Sequence, residues 1–148
     1  MGNEEGHAGA HFKFEMRLDE NGLVIVKSEG ILDVDASIRR RRQYIEEGMT
    51  VEIVNSRPMI IDIRNSEPPQ EGWQPCFQKL LAFFTQIGEE PLCRAYVVSA
   101  YQMQGISVLF LQAVSEAADM NLGMRSFEDY DEAYAWASEF MAERPSPS

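Results

Sequence analysis

The stretch Ser56–Ser66, SRPMIIDIRNS, decides the fold class. Pro58 bars a helix and opens the strand Met59–Ile63, whose consecutive apolar residues Met59, Ile60 and Ile61 suit a strand covered on both faces. A second apolar run, RAYVVS (Arg94–Ser99), reads as a strand over Ala95–Val98. Each run leads into a helix-like stretch. The chain then closes on MRSFEDYDEAYAWASEF, a short strand over Met124–Phe127 followed by a helix. Strands alternating with helices in this way imply parallel central strands joined by right-handed crossovers.

Upstream, Phe12, Phe14, Met16 and Leu18 alternate with polar residues, the period of a strand with one buried face. Asp19-Glu20-Asn21-Gly22 follows, and Asn-Gly signals a hairpin because both residues tolerate positive φ. Leu23–Val26 returns antiparallel and ends near Gly30. A helix starts around Asp33 to Ser37, with Asp33, Asp35 or Ser37 as its N-cap. Two readings stay open at its far end. It runs from about Ala36 through Gly48, with Ile38, Ile45, Met49 and Ile53 on one face, or it stops at Gly48 and Val51–Val54 forms a short strand. Of the two, the longer helix is expected. A loop over Asn65–Pro75, carrying Trp73, precedes a helix whose apolar stripe is Phe77, Leu80, Leu81, Phe84 and Ile87, with Gly88 as its C-terminal cap. The helix expected from about Met103 to Asp119 is apolar nearly all round, as for one deeply buried or pressed on another subunit. The last helix begins with a pairing of Asp129 and Glu132 that resembles a capping box, and presents Ala133, Trp136, Ala137 and Phe140 on one face.

The 148 residues, 45% hydrophobic and 25% charged, suit one globular domain over 11–142 between disordered tails at 1–10 and 143–148. A net charge of −11 argues against nucleic acid as a partner, because phosphate binding needs a positive field. No apolar stretch approaches bilayer length, so no membrane insertion is expected. The start, MGNEEGHAGA, has neither a positive nor an apolar leader region, and Gly6 stands where a myristoylation motif takes Ser or Thr. Cys76 and Cys93, far apart, read as free thiols of a cytoplasmic protein.

The order of hairpin, helix, strand, helix, strand, helix, short strand and helix resembles the STAS fold. The closing FEDYDEAYAW and the central PMIIDIR resemble its SpoIIAA-like branch, in which an apolar central strand ends in Asp and often Arg. The resemblance covers about Phe12 to Phe140. It implies an α/β, STAS-like (SpoIIAA-like) single domain: a mixed, mostly parallel sheet with an N-terminal antiparallel hairpin and about four helices. It also implies a module that is commonly dimeric and has no known catalytic centre. STAS proteins that antagonise anti-sigma factors carry a phosphorylatable serine in a D-S-S-G-like turn after the central strand. Here that region reads IDIRNSEPP; Ser66 is the only nearby hydroxyl, and the glycine is missing. Ser66 is the sole candidate phosphosite, and a plain turn serine is the expected role.

In open α/β sheets ligand crevices form beyond the carboxyl ends of the strands. That rule nominates Asp62, Arg64, Asn65 and Ser66 after one strand, Ser99 and Tyr101 after the next, and Trp73 as a lid on the Pro-rich loop. The plain alternative is that Asp62 and Arg64 pair with neighbours and Trp73 plugs the edge of the core. Arg39–Arg42, the only basic cluster, spreads around a helix and reads as a solvated face, with the stem of Arg41 or Arg42 lying over the core. His7 and His11 are the only histidines, both near the N-terminus. Zinc sites and Ser- or Cys-based nucleophiles therefore lack support, and there is no phosphate-binding glycine motif. No metal, cofactor or catalytic residue is expected, and the chain reads as no enzyme. The function expected is a regulatory module that binds an unidentified protein partner, as a homodimer. The alternative is a carrier or sensor of a small apolar, lipid-like ligand held near the carboxyl ends of the parallel strands.

Overall fold

In the computed structural model, which describes residues 12–100 and 123–142, strand β1 (Lys13–Leu18) turns back into β2 (Val24–Ile31) through Glu20, Asn21 and Gly22. The Asp19 N–H donates to the Leu23 carbonyl at 2.9 Å, and Gly22 at φ +90° donates to the Asp19 carbonyl at 3.1 Å. The hairpin is as expected, but its mechanism differs. Asn21 does not take positive φ, because the Asp19 carboxylate accepts the N–H groups of Asn21 and Leu23, each at 2.9 Å. Leu18, expected on a buried face, is 40% exposed at the hairpin end of this edge strand.

Helix α1 (Val34–Glu46) is capped by the Asp33 carboxylate, which accepts from the Ala36 N–H at 3.0 Å. The longer helix expected beyond Gly48 is not formed, and neither is the alternative strand. Gly48 sits at φ +115°, where residues with a Cβ are strained, and Thr50 then caps a short second helix, α2 (Val51–Asn55). Strand β3 (Pro58–Glu67) runs four residues beyond Ile63, where the strand was expected to stop. Helix α3 (Trp73–Ile87) ends at the left-handed Gly88, as expected. Strands β4 (Cys93–Val97) and β5 (Met124–Phe127) and helix α4 (Tyr130–Ala142) complete the described elements. The expected tails, the helix from Met103 and the candidate Tyr101 lie outside the described residues.

The sheet order is β1-β2-β3-β4-β5, with β1 antiparallel to β2 and the remaining neighbours parallel. On one face Ile25, Ile60, Ala95, Val97 and Phe127 lie beneath α4, whose fully buried Ala133 and Ala137 let the helix sit close to the strands. On the other face Met16, Val24, Val26 and Met59 meet α1 and α2, and Ile63 and Tyr96 meet α3 through Phe77. Burying one such side chain as Ile60 stabilises the fold by about 1.5–3 kcal/mol.

Helix α1 turns inward a face that borders the expected stripe, and Ile38 of that stripe packs against the cluster of Leu32, Val34 and Cys76. Val34, Ser37 and Arg41 are its buried residues. Arg41 does not lie over the core with its head in water. Its side chain is 3% exposed and paired with Glu89, whose side chain is 1% exposed. The Arg41 Nε donates to the Glu89 carboxylate at 2.8 Å and Nη1 to the Met49 carbonyl at 2.8 Å. The neighbouring arginines use their flat faces: Arg40 lies 4.6 Å from the Tyr44 ring centre and Arg42 5.1 Å from that of Phe83.

Removing one partner of a buried ion pair leaves a charge without a counter-ion. Glu89→Ala should therefore destabilise the fold by about 3–5 kcal/mol in a denaturant titration. The double change Arg41→Leu with Glu89→Leu should cost clearly less, and equal losses would show that the charge pairing is not what matters.

Candidate functional site

The geometry after the central strand is set by a bulge. The β2–β3 register runs from Lys27 opposite Asp62 to Glu29 opposite Asn65, so β3 spends one more residue than β2 over that interval. Side chains alternate along a strand, so the extra residue reverses which face each later residue occupies. Asp62 and Arg64 stay on the side of α4. Ser66 turns to the opposite face.

Asp62, buried to 8% exposure, accepts a forked pair of bonds from Arg64, from Nε at 3.0 Å and from Nη2 at 2.8 Å. The Arg64 backbone N–H adds a third contact to the same carboxylate at 3.1 Å. Bonding to Asp62 raises the Arg64 pKa, and the guanidinium lies 5.8 Å from the centre of the Tyr130 ring. Asn65 is exposed. Ser66 is 3% exposed and shares a 2.8 Å hydrogen bond with the Ser28 hydroxyl across β2. Trp73 is in the first turn of α3, half-buried, with its ring centre 6.0 Å from that of Phe77. It is thus not on a loop. Ser99 is half-buried just past the end of β4. The structure brings Asp62 and Arg64 together and separates both from Ser66 and Trp73.

Neither cysteine is set up as a nucleophile. Burial pushes the Cys93 thiol up to about 11 and raises that of Cys76 as well. Burial likewise raises the Tyr96 hydroxyl. Among the described residues no group of three or more His, Cys, Asp or Glu side chains is placed to hold a metal. No helix among them is long and apolar enough to cross a membrane.

Two further features lie apart from these polar groups. The first is a cavity of about 70 Å³ between the sheet and helices α1 and α3, walled by Met59, Ile61, Phe77 and Phe83, with Arg41 and Glu89 at its edge. The second is the bond from the Tyr134 hydroxyl to the Asp19 carboxylate at 2.6 Å, which ties α4 to the hairpin turn. Burial alone would raise the Asp19 pKa. The Tyr134 hydroxyl and the N–H groups of Leu23 and Asn21 outweigh it and hold the carboxyl low. The stabilisation from this carboxylate is therefore complete above its unfolded value and is lost as the pH falls through the lowered one.

No family model matches the chain, and no curated protein matches it. Solved structures do. An anti-sigma factor antagonist from Mycobacterium paratuberculosis superposes with a TM-score of 0.54 at 13% identity, over 87% of this chain and 96% of its own. A DUF3478-family protein with a SpoIIAA-like fold, from Shewanella loihica, superposes with a TM-score of 0.57 at 12% identity, over 85% of this chain and 93% of its own. The chain has the SpoIIAA-like α/β fold that the element order implied.

Two measurements check the site geometry. With a thiol pKa near 11, less than about 0.1% of Cys93 is thiolate at neutral pH, so a thiol reagent should label neither cysteine in the native protein and both in denaturant; prompt native labelling would refute the buried placement. Ser66→Asp places a carboxylate where no water reaches. It should lower the unfolding free energy by about several kcal/mol, and a variant as stable as the parent would mean that Ser66 is accessible.

Proposed function

We propose that this SpoIIAA-like chain is a non-catalytic, cytoplasmic regulatory module that works by binding protein partners, and that it does so as a homodimer. One observation carries the reading. The polar groups at the carboxyl end of the central strand bond to one another: Asp62 is taken by Arg64, and Ser66 is hydrogen-bonded to Ser28. They do not converge on a vacant position where a substrate atom would sit. The burial of both thiols points the same way, since it removes the two strongest intrinsic nucleophiles. The fold shared with a structure named an anti-sigma factor antagonist supports a role exercised through surfaces. Such a role asks for rigidity more than reactivity, and the two-sided core supplies it.

Ser66 is not the proposed means of regulation. Its burial and its bond to Ser28 favour a packing role.

A second reading, a carrier of a small apolar molecule, is favoured by the almost wholly apolar lining of the cavity under α1 and α3. Its volume of about 70 Å³ is far below the about 300–1,000 Å³ of ordinary ligand sites. A lipid-like guest would need α3 to move outward, and Trp73, in the first turn of that helix, would move with it. Asp62, Arg64, Asn65 and Ser99, which do not line that cavity, would then have no part in holding the guest.

Native mass spectrometry followed by denaturation separates the two readings. A native mass equal to twice the bare chain is expected. A bare monomer at high protein concentration would remove the homodimer, and an excess mass released on denaturation would transfer the conclusion to the carrier.

A further inference from the structure

Strand β1 forms one end of the sheet, and no strand among the described residues pairs with its outer edge. Its backbone direction follows from the hairpin. Asp19 bonds to Leu23, so by alternation Lys13, Glu15 and Arg17 direct their N–H and C=O groups toward β2. Phe14, Met16 and Leu18 therefore direct theirs outward. A free row of this kind is a template for another strand unless charge or cover blocks it.

The side chains of Lys13, Glu15 and Arg17 are exposed, and among the described residues no ion pair engages them. Two antiparallel copies of β1 meet only in registers that bring the outward-directed residues opposite one another. Three such registers overlap well. Centred on Glu15, the pairing sets Glu15 against the partner's Glu15 and Lys13 against the partner's Arg17, which is repulsive throughout. Centred on Phe14, it pairs Lys13 with the partner's Glu15 but leaves Arg17 out. Centred on Met16, it sets Glu15 opposite the partner's Arg17 and Lys13 opposite the partner's Asp19, each twice by symmetry. This last register overlaps over as many β1 residues as the one centred on Glu15, and it sets opposite charges at every charged position. It places those charges at the closely spaced, non-hydrogen-bonded positions, where side chains interact most.

We infer that β1 pairs antiparallel with β1 of a second copy across a two-fold axis at Met16, making one continuous ten-stranded sheet. The inference deepens the homodimer reading above and rests on it. About six backbone hydrogen bonds join the strands, from Phe14, Met16 and Leu18 of each copy. The register also gives the exposed Leu18 a neighbour, since it falls opposite the partner's Phe14. An isologous contact of this type closes on itself and does not propagate.

The test is charge exchange, read by light scattering and sedimentation of the whole chain over a range of concentrations, with thermal melts to confirm folding. The unaltered protein should be a dimer. Glu15→Arg and Arg17→Glu should each weaken dimerisation by about tenfold or more, because two symmetric pairs change from attraction to repulsion. The double variant, Glu15→Arg with Arg17→Glu, restores opposite charges and should restore the dimer. Arg17→Glu also separates the registers, since centring on Phe14 makes it harmless. A dimer unaffected by either single change would overturn the β1 contact and leave the homodimer standing on another face. A monomeric unaltered protein would overturn both.

Discussion

The Arg41–Glu89 pair is the constraint on which the α1 and α3 side of the molecule depends. Moving an ammonium- or carboxylate-sized charge out of water costs several kcal/mol per ion even after relaxation. Neither residue is therefore tolerable in the core alone, and the two must arrive together. Arg41 is on α1 and Glu89 lies just past the end of α3, so their meeting fixes the two helices against each other. The remaining donors set the rest. Nη1 needs an acceptor and takes the Met49 carbonyl, which the chain reaches only by leaving the helix at Gly48. Arg94 then donates to the Glu89 backbone carbonyl at 3.1 Å and lies 5.0 Å from the Phe84 ring centre, so the segment leading into β4 is held at the same residue through its main chain. The break between α1 and α2 and the entry into β4 thus both lie against this ion pair.

This arrangement also explains why part of the fold was legible in the sequence and part was not. Periodicity reports apolar burial. Together with apolar runs and turn residues it found the hairpin, the central strand opened by Pro58, the short strand Met124–Phe127 and the face of α4. On α1 it found Ile38, which packs against Leu32, Val34 and Cys76, but not Ser37 and Arg41, the polar residues buried beside it. Nothing local in RRRR marks its third residue as the one that will find a carboxylate 48 positions later. The break at Gly48 was visible as a glycine, and the Thr50 cap that starts a new helix after it carries no hydropathy signal.

The candidate site was legible to a smaller degree, for a different reason. The rule that ligand crevices open beyond the strand ends assumes that the strand ends where its apolar run ends. Here β3 continues through Arg64, Asn65 and Ser66 to Glu67, paired with β2 through Gly30 and Ile31. Residues expected to line a loop together were instead strand residues on alternating faces. Asp62 and Arg64 were grouped correctly, since two residues of a strand separated by one share a face. Ser66 escaped because the bulge adds a residue that no hydropathy pattern records. The helix start at Trp73 was hidden by Pro75, which reads as loop yet is welcome in a first helical turn, where its missing N–H has no helical acceptor.

The same bulge bears on the regulatory serine that the resemblance implies. The departure from a D-S-S-G-like turn looks, in sequence, like a loss of side chains: one serine remains and the glycine is gone. In the structure it is a change of backbone. The residues after Asp62 are spent on extending β3, so no turn exists at that point to present a hydroxyl to solvent. Restoring serines at 64 or 65 would put hydroxyls on a paired strand beside β2, with Arg64 removed from Asp62 in the first case. The buried carboxylate would then lose its fork of donors, at a cost set by the desolvation of Asp62 and not by anything a kinase reads. In this chain the strand extension and the Asp62–Arg64 pair support each other, and together they make the carboxyl end of β3 a rigid strut. On the proposed reading, specificity resides in what this frame displays at its edges and faces, and the pattern of charges along β1 is such a display.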